Sequence, residues 1–302
     1  MKLAYEIWDV FTNKPLQGNP LALIPDASQL NDAQMQALAK EFNLSETSFI
    51  LPSEKADMKA RYFTPSRELP MAGHPTIGTV FALHRQGKIK GESFRLELPA
   101  GVFEIGLEHD GTKLTRAWMN QGIPKIISEI TDKSLVAKAL NLAGTDIMDL
   151  PIQFVSAGNP FLMVPLASLD ALARASLKPR AFESVEGLHV VGVFAFTTAT
   201  ENVKVRGRMF AGEGIGVSED PATGSAHGPL GWYMATHGLL ESQDNTAHFI
   251  SHQGVEMGRP SELHVRVTKT ENDFSVSVGG HAVLVAEGTL FLRKEEGGMG
   301  NG

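Results

Sequence analysis

The segment GNPLALI at residues 18–24 is matched 140 residues further along the chain by GNPFLMV at residues 158–164. Each segment is typical of a turn that leads into a buried strand. A second pair follows in the same order, RYF at residues 61–63 and RMF at residues 208–210, at an offset of 147 residues. Matches that keep their order at slowly growing offsets indicate two tandem copies of one structural unit.

A third pair of matching segments places a glycine before a helix in each copy. ELPMAG at residues 68–73 corresponds to EDPATG at residues 219–224, at an offset of 151, so the loop before this point is four residues longer in the second copy. An apolar stretch of helical length follows each glycine and ends near Arg85 or Thr236, which predicts equivalent helices that begin at the two glycines. A helix that is apolar nearly all round has to be buried, and the inside of a curved sheet is the natural place for it.

Most of the remaining pattern is typical of strands, with one amphipathic helix. The helix is predicted over Asp32 to Phe42, with Asn31 or Asp32 as its N-cap. Apolar or alternating runs predict strands at residues 48–51, 94–98, 190–196, 263–267 and 282–286. The predicted fold class is therefore α+β, with two tandem pseudo-symmetric domains, each a mostly antiparallel sheet or barrel wrapped around a central helix.

Composition excludes several classes of protein. The 302 residues include 27 Lys and Arg against 34 Asp and Glu, a net charge of −7, and no cysteine. Without a basic cluster, nucleic acid is not expected as a partner, and without cysteine there are no disulfides, thiolate nucleophiles or cysteine-based metal sites. No basic N-terminal region precedes an apolar stretch, and no apolar run approaches the roughly 18 residues of a membrane span. We predict a folded, cytoplasmic protein without a membrane partner.

The two duplicated helix starts are candidate binding sites for an anion. The first amides of a helix lack partners within the helix and lie at the positive end of its dipole. Gly73 and His74 in one copy, and Gly224 and Ser225 in the other, would face each other across the domain boundary and suit a small carboxylate. The alternative is that each glycine only permits a tight turn from loop to helix.

Side chains that can move protons are predicted close to these helix starts. They are Glu46, His74, Asp220, Ser225 and His227. From the pattern alone, Glu46 could equally be a solvated turn residue, and Asp220 could equally initiate a turn before Pro221.

Metal and nucleotide sites are poorly supported by the sequence. His248 and His252 are four residues apart, but the stretch is predicted as a strand, where the helical spacing of zinc ligands does not apply. GEGIG at residues 212–216 lacks the GxGxxG spacing and the strand–helix–strand context of a dinucleotide site. A non-catalytic binding module that keeps the cleft remains an alternative of a different class.

Seven segments, taken together, resemble the PhzF-like phenazine biosynthesis family. They are GNP at 18–20, SETSF at 45–49, RYFTP at 61–65, GHPT at 73–76, EDPATGSA at 219–226, GRPS at 258–261 and GGHAV at 279–283. The resemblance extends from about residue 3 to residue 291, and EDPATGSA is its most specific motif. One departure is Pro75, where alanine is frequent in the family. Proline is well tolerated in the first turn of a helix, so the helix start should keep its geometry.

The resemblance implies a diaminopimelate-epimerase-like fold, in which two similar domains enclose an active site between them. The last strand then crosses back, which gives an N-terminal domain of residues 1–121 plus 282–295 and a C-terminal domain of residues 122–281. The glycine-rich residues 296–302 are predicted to be a disordered tail. Because family members are usually homodimers without a cofactor, we expect a homodimer, no cofactor and no metal.

The resemblance also implies roles for individual residues. The predicted catalytic residues are Glu46, His74 and Asp220, and the predicted substrate-binding residues are Gly73, Gly224 and Ser225. Related epimerases use a pair of thiols, which a chain without cysteine cannot supply, so one carboxyl group would have to carry the proton. We predict a cofactor-independent isomerase that shifts a proton in a small, carboxylate-bearing, cyclic amino acid-like substrate such as 2,3-dihydro-3-hydroxyanthranilate. An epimerase-type enzyme with another substrate is the second alternative.

Overall fold

The structure, a computed structural model, describes residues 1–178, 192–200, 204–211, 218–241 and 243–292. The longer loop of the second copy and its GEGIG segment lie largely outside the described residues, as does the predicted tail at 296–302. None of the helices in the described ranges is long and apolar enough to cross a bilayer.

Two sets of elements follow one another along the chain. The first comprises β1 (Lys2–Val10), β2 (Asn19–Ile24), α1 (Asp32–Phe42), β3 (Glu46–Leu51), β4 (Met58–Phe63), β5 (Glu68–Leu69), α2 (Gly73–Arg85), β6 (Ser93–Leu98), β7 (Gly101–Asp110) and β8 (Lys113–Asn120). The second comprises β9 (Lys125–Ile130), α3 (Lys133–Ala139), β10 (Ile152–Ser156), β11 (Pro160–Pro165), α4 (Leu169–Arg174), β12 (Gly192–Thr197), β13 (Val205–Ala211), β14 (Glu219–Asp220), α5 (Gly224–Thr236), β15 (Thr246–Gln253), β16 (Ser261–Lys269), β17 (Phe274–Gly280) and β18 (Ala282–Phe291).

The strand order is the same in both sets. Hydrogen-bonded neighbours run β18-β1-β2-β3-β4-β6-β7-β8, with the short β5 on β4. In the second set they run β9-β10-β11-β12-β13-β15-β16-β17, with β14 on β13. The parallel pairs correspond as well, because β2–β3 and β4–β6 match β11–β12 and β13–β15. An antiparallel pair, β8 with β17, joins the two sheets.

Each sheet wraps around one buried helix. Helix α2 contacts β1, β2, β3, β8 and β18, and helix α5 contacts β10, β11, β16 and β17. In α2 every residue from Gly73 to Leu83 is buried, as expected for a helix inside a curved sheet. The first core surrounds α2 and the second surrounds α5.

The outermost strand of the first sheet comes from the end of the second set of elements, whereas the outermost strand of the second sheet comes from its own set. Strand β9 follows β8 in the chain but pairs with β10, and β18 follows β17 but pairs along the whole length of β1. We call β1–β8 with β18 the first half and β9–β17 the second half. On this pairing we propose the division into residues 1–121 plus 282–295 and residues 122–281, of which 293–295 lie outside the described residues.

The helix α1 has the predicted bounds and cap. The Asn31 side chain accepts from the Gln34 backbone amide, and the Gln34 side chain accepts from the Asn31 amide in return. This capping box satisfies two amides that would otherwise have no partner within the helix. It fixes the start of α1, the helix that connects β2 to β3, and Glu46 is the first residue of β3.

Candidate active site

The N-termini of the two buried helices meet between the halves. Helix α2 begins at Gly73 and α5 begins at Gly224, and neither N-cap residue makes a side-chain hydrogen bond to its helix. The approach is so close that a Cβ atom placed on Gly73 would lie 3.0 Å from the Ser225 backbone nitrogen. Unpaired amides and two positive dipole ends therefore converge at one place, as the duplication predicts.

Glu46 lies beside this meeting point at the start of β3. Its side chain is 18% exposed, and its Oε2 atom lies 3.4 Å from Nδ1 of His74. Oε2 is buried and has no hydrogen-bond partner among the described residues. Burial, and secondly the charge of Asp220, raises the pKa of Glu46 to about 8. A carboxyl group in this state can both accept and return a proton near neutral pH.

His74, the second residue of α2, is neutral and makes few hydrogen bonds. Burial lowers its pKa to about 3. Nδ1 lies 3.3 Å from Nδ2 of Asn19, while Nε2 is buried without a partner among the described residues. A neutral imidazole with this much spare hydrogen-bonding capacity can form a hydrogen bond with Glu46 or with a ligand.

Asp220 reaches the same cluster from the second half. Its Oδ2 accepts a hydrogen bond from Oγ1 of Thr223 at 2.6 Å, and its Oδ1 accepts one from Nδ2 of Asn19 at 2.8 Å. Burial raises the pKa of Asp220 to about 6, although these two hydrogen bonds oppose the shift. Asp220 is thus ionised at neutral pH, next to a Glu46 that is mostly protonated.

Asn19 is the residue that sequence reasoning missed. Its side chain is fully buried, and Nδ2 donates both to Asp220 and to the backbone oxygen of Ala222, the latter at 2.9 Å. Its Oδ1 accepts from Oγ of Ser45 at 3.2 Å. Asn19 therefore joins the residue before Glu46 to the loop before α5. The signal was available, because GNP occurs at both equivalent positions, but it served only as a marker of the duplication and as one of the segments of the family resemblance.

Two further sequence candidates have different surroundings. Ser225 is half-buried at the start of α5, and its hydroxyl has no partner among the described residues. His227 is not part of the cluster, since its Nδ1 lies 2.8 Å from the Thr223 oxygen and its Nε2 lies 2.9 Å from Oγ of Ser251. It is fully buried, with its ring edge-on to Phe194, so it belongs to the core of the second half.

The histidine pair considered for a metal lies where the sequence predicts, in a strand. His248 and His252 both belong to β15. Within the described ranges, no group of three or more His, Asp or Glu side chains is arranged to hold a metal ion.

The raised pKa of Glu46 makes stability depend on pH in a defined direction. Between its ordinary value of 4.5 and about 8, the folded protein holds a proton that the unfolded chain has released, so the free energy of unfolding falls as pH rises through this window. Glu46→Gln removes the titration. We expect the variant to gain about 3 kcal/mol over wild type between pH 5 and pH 8.5, measured by urea unfolding at each pH. An equal difference at both pH values would contradict the raised pKa.

The fold and the cleft together define a class of two-half, epimerase-like proteins. A hydroxyproline epimerase from Agrobacterium vitis superposes over 98% of this chain and 94% of its own with a TM-score of 0.62 at 14% identity, which concerns the fold alone. The chain belongs to the phenazine biosynthesis-like (PhzC–PhzF) family, whose model matches residues 8–288.

Two members of the family are much closer in sequence. The trans-2,3-dihydro-3-hydroxyanthranilate isomerase of Pseudomonas fluorescens is 37% identical over 290 residues, which cover 95% of this chain and 99% of the relative. The crystal structure of a Bacillus anthracis phenazine biosynthesis protein of the PhzF family has a TM-score of 0.90 at 32% identity, covering 97% of this chain and all of that one. These matches confirm the predicted family, the α+β fold class and the isomerase class of enzyme.

Proposed function

We propose that this protein is a cofactor-independent isomerase that moves a proton within a small, carboxylate-bearing, cyclic amino acid-like substrate. The observation that carries the proposal is the position of Glu46. Its carboxyl group has a raised pKa and an unpartnered oxygen, and it lies beside the unpaired amides of two helices. Groups of this kind cluster at catalytic sites because the same burial that is costly for stability matches the pKa to proton transfer.

The helix N-termini would hold the substrate carboxylate. The starts of α2 and α5 lie against each other, so their first amides would share one binding place, and the free hydroxyl of Ser225 supplies one more donor. Both helix dipoles favour a negative charge there. Gly73 and Gly224 are needed because a Cβ atom on either would meet atoms at 3.0 Å, the Ser225 nitrogen in one case and the Phe11 ring in the other.

Proton transfer would then proceed through one carboxyl group. Ionised Glu46 takes a proton from an activated C–H bond of the substrate, and the electron pair moves into the conjugated system. The resulting acid returns the proton to another carbon of that system, so the double bond moves and no electron or atom is gained or lost. His74, 3.4 Å from Glu46, would form a hydrogen bond with its carboxyl group, and ionised Asp220 would orient a substrate amino group.

The choice of reference substrate follows from a relative. The matched Pseudomonas fluorescens enzyme is named for trans-2,3-dihydro-3-hydroxyanthranilate, a cyclic amino acid with one carboxylate. In this proposal the helix ends would bind its carboxylate, Asp220 its amino group and Glu46 a ring C–H group.

The proposal is tested by NMR of the reference substrate and related cyclic amino acids in D₂O with purified protein. We expect a hydrogen to appear at a carbon that carried none before, either the transferred proton or a deuteron that has replaced it on Glu46, together with a shift of the double bond. Deuterium at the original carbon with inversion of configuration would instead indicate an epimerase. Line broadening without any conversion or exchange would indicate a binding protein, and with it the proposed function would fail. The homodimer and the cytoplasmic location stay predictions, the former measurable by sedimentation.

A further inference from the structure

The loop that leads to Asn19 is held by an arginine from the other half. Arg259 lies between β15 and β16, and its Nε donates to the Gly18 oxygen at 2.7 Å. Its Nη2 donates to the Gln17 oxygen at 2.7 Å and to Oδ1 of Asp9 at 2.6 Å. The guanidinium group therefore binds the two residues that directly precede Asn19, as well as the carboxylate near the end of β1.

This contact leaves the loop little freedom. Asp9 is only 2% exposed, and its second oxygen accepts the Leu16 amide at 2.6 Å, so the buried carboxylate is fully bonded. Gly18 has a φ of +67°, and a Cβ atom there would lie 2.3 Å from the Val10 oxygen. An ion pair with a buried carboxylate is costly to break from one side, because the remaining charge has no compensation.

The position of Asn19 in turn determines the surroundings of two site residues. Its amide nitrogen lies 2.8 Å from Oδ1 of Asp220 and 3.3 Å from Nδ1 of His74. Hydrogen bonds of this kind span about 2.7 to 3.2 Å, and a contact of about 3.6 Å is no longer a hydrogen bond. A loop released from Arg259 would thus weaken the bond that favours ionised Asp220.

The duplication shows that the structural unit does not require this contact. The equivalent turn of the second half connects β10 to β11 through residues 157–159 only, whereas residues 11–18 connect β1 to β2. Within the described ranges, no arginine of the first half binds that turn, and Asn159 is half-buried without a hydrogen-bond partner. Among the described residues other than its chain neighbours, Met71 alone places an atom, Cε, within 4 Å of a Cβ atom built on Gly158. In the part of the chain that the structure describes, the arginine contact is therefore present only on the side where the asparagine enters the catalytic cluster.

We propose that Arg259 is a positioning residue for the isomerase: from the second half, it fixes residues 17 and 18 and thereby places the Asn19 amide between Asp220 and His74. It touches no substrate and acts only through Asn19. The inference rests on the proposed function for its kinetic consequence, but the placement of Asn19 can be measured without turnover.

The test compares two arginines that each join the halves. Arg266 donates to Oε1 of Glu108 at 2.7 Å and stacks on Trp118 at 3.9 Å, and it has no contact with the loop of residues 11–18. Arg259→Met is expected to lower kcat about tenfold with KM changed less than threefold, while Arg266→Met leaves both unchanged. Arg259→Lys keeps a charge beside Asp9 and therefore the fold, but one ammonium group cannot replace the fork-shaped guanidinium, so only part of the rate returns.

A second readout separates this inference from the proposed function. ¹³C NMR of the Asp220 carboxyl should show its pKa raised by about 0.5 unit or more in Arg259→Lys and unchanged in Arg266→Met. Every variant retains the two other carboxyl groups that interact electrostatically with Asp220. These are Glu46 and the neighbouring Glu219. An unchanged Asp220 titration and an unchanged rate in Arg259→Lys would overturn the positioning role. If wild type converts none of the acids, the proposed function fails, while the Asp220 titration still decides on Arg259.

Discussion

Glu46→Gln is expected to lower kcat by a factor of about 10² to 10⁴ and to change the dissociation constant of the substrate less than threefold. Glutamine keeps the size and polarity of the side chain but can neither take nor return a proton, and general acid–base assistance is worth about this factor. No other carboxyl group in the cluster can replace it, because Asp220 is already engaged by Thr223 and Asn19. Single-turnover kinetics with a binding titration of the variant measure both quantities.

The matched control is Glu41→Gln, on the exposed face of α1. It makes the same chemical change outside the cleft and should leave kcat at the wild-type value. If Glu46→Gln retained most of the turnover, or if Glu41→Gln lost as much, Glu46 would not be the proton carrier. A loss of binding in Glu46→Gln with normal turnover at saturation would make Glu46 a substrate-binding residue instead.

Asn19→Leu is expected to lower the free energy of unfolding by about 3 to 5 kcal/mol. Leucine fills nearly the same space but donates nothing, so the buried Asp220 carboxylate and the Ala222 oxygen each lose a hydrogen bond. A buried acceptor left without a partner costs about 1 to 3 kcal/mol, and more when it is charged. Urea unfolding at pH 7 measures the difference, and the pKa of Asp220 should rise above its wild-type value.

The duplication supplies the control, Asn159→Leu. This asparagine follows the equivalent glycine but is half-buried and has no partner among the described residues. We expect its replacement to change stability by less than about 0.5 kcal/mol, as for other side chains outside a bonded network. Similar losses for both variants would show that the two asparagines are equivalent, and the asymmetry described for the two turns would have no energetic basis.

Local signals predicted the fold well because they are repeated. The bounds of α1 were predicted as observed, since a capping asparagine and a one-sided apolar pattern mark both ends of the helix. The buried helices begin at the predicted Gly73 and Gly224. In α5, however, the apolar stretch begins only at Pro229, five residues after the start of the helix. Glycines at equivalent points of two copies were more informative than either apolar stretch.

The rest of the site depends on contacts that no local pattern contains. Asn19 and Asp220 are 201 residues apart, and Arg259 binds Gly18 over 241 residues. From its neighbouring residues alone, each of these side chains is interpreted as part of a turn or a loop. It becomes part of the site only when the two halves meet. The resemblance assigned roles to Glu46, His74 and Asp220. Its segments GNP and GRPS contain Asn19 and Arg259, but it assigned no role to either residue.

The return of β18 to the first half bears on how the chain is made. Strand β1 is paired along its outer edge only by β18, and Lys2 lies opposite Phe291. At about 5 to 20 residues per second, a ribosome needs roughly 15 to 60 s to pass from one strand to the other. During that interval the growing chain carries an open strand edge, which is the kind of surface that recruits other chains. The first half therefore completes its sheet only after the whole second half has been synthesised.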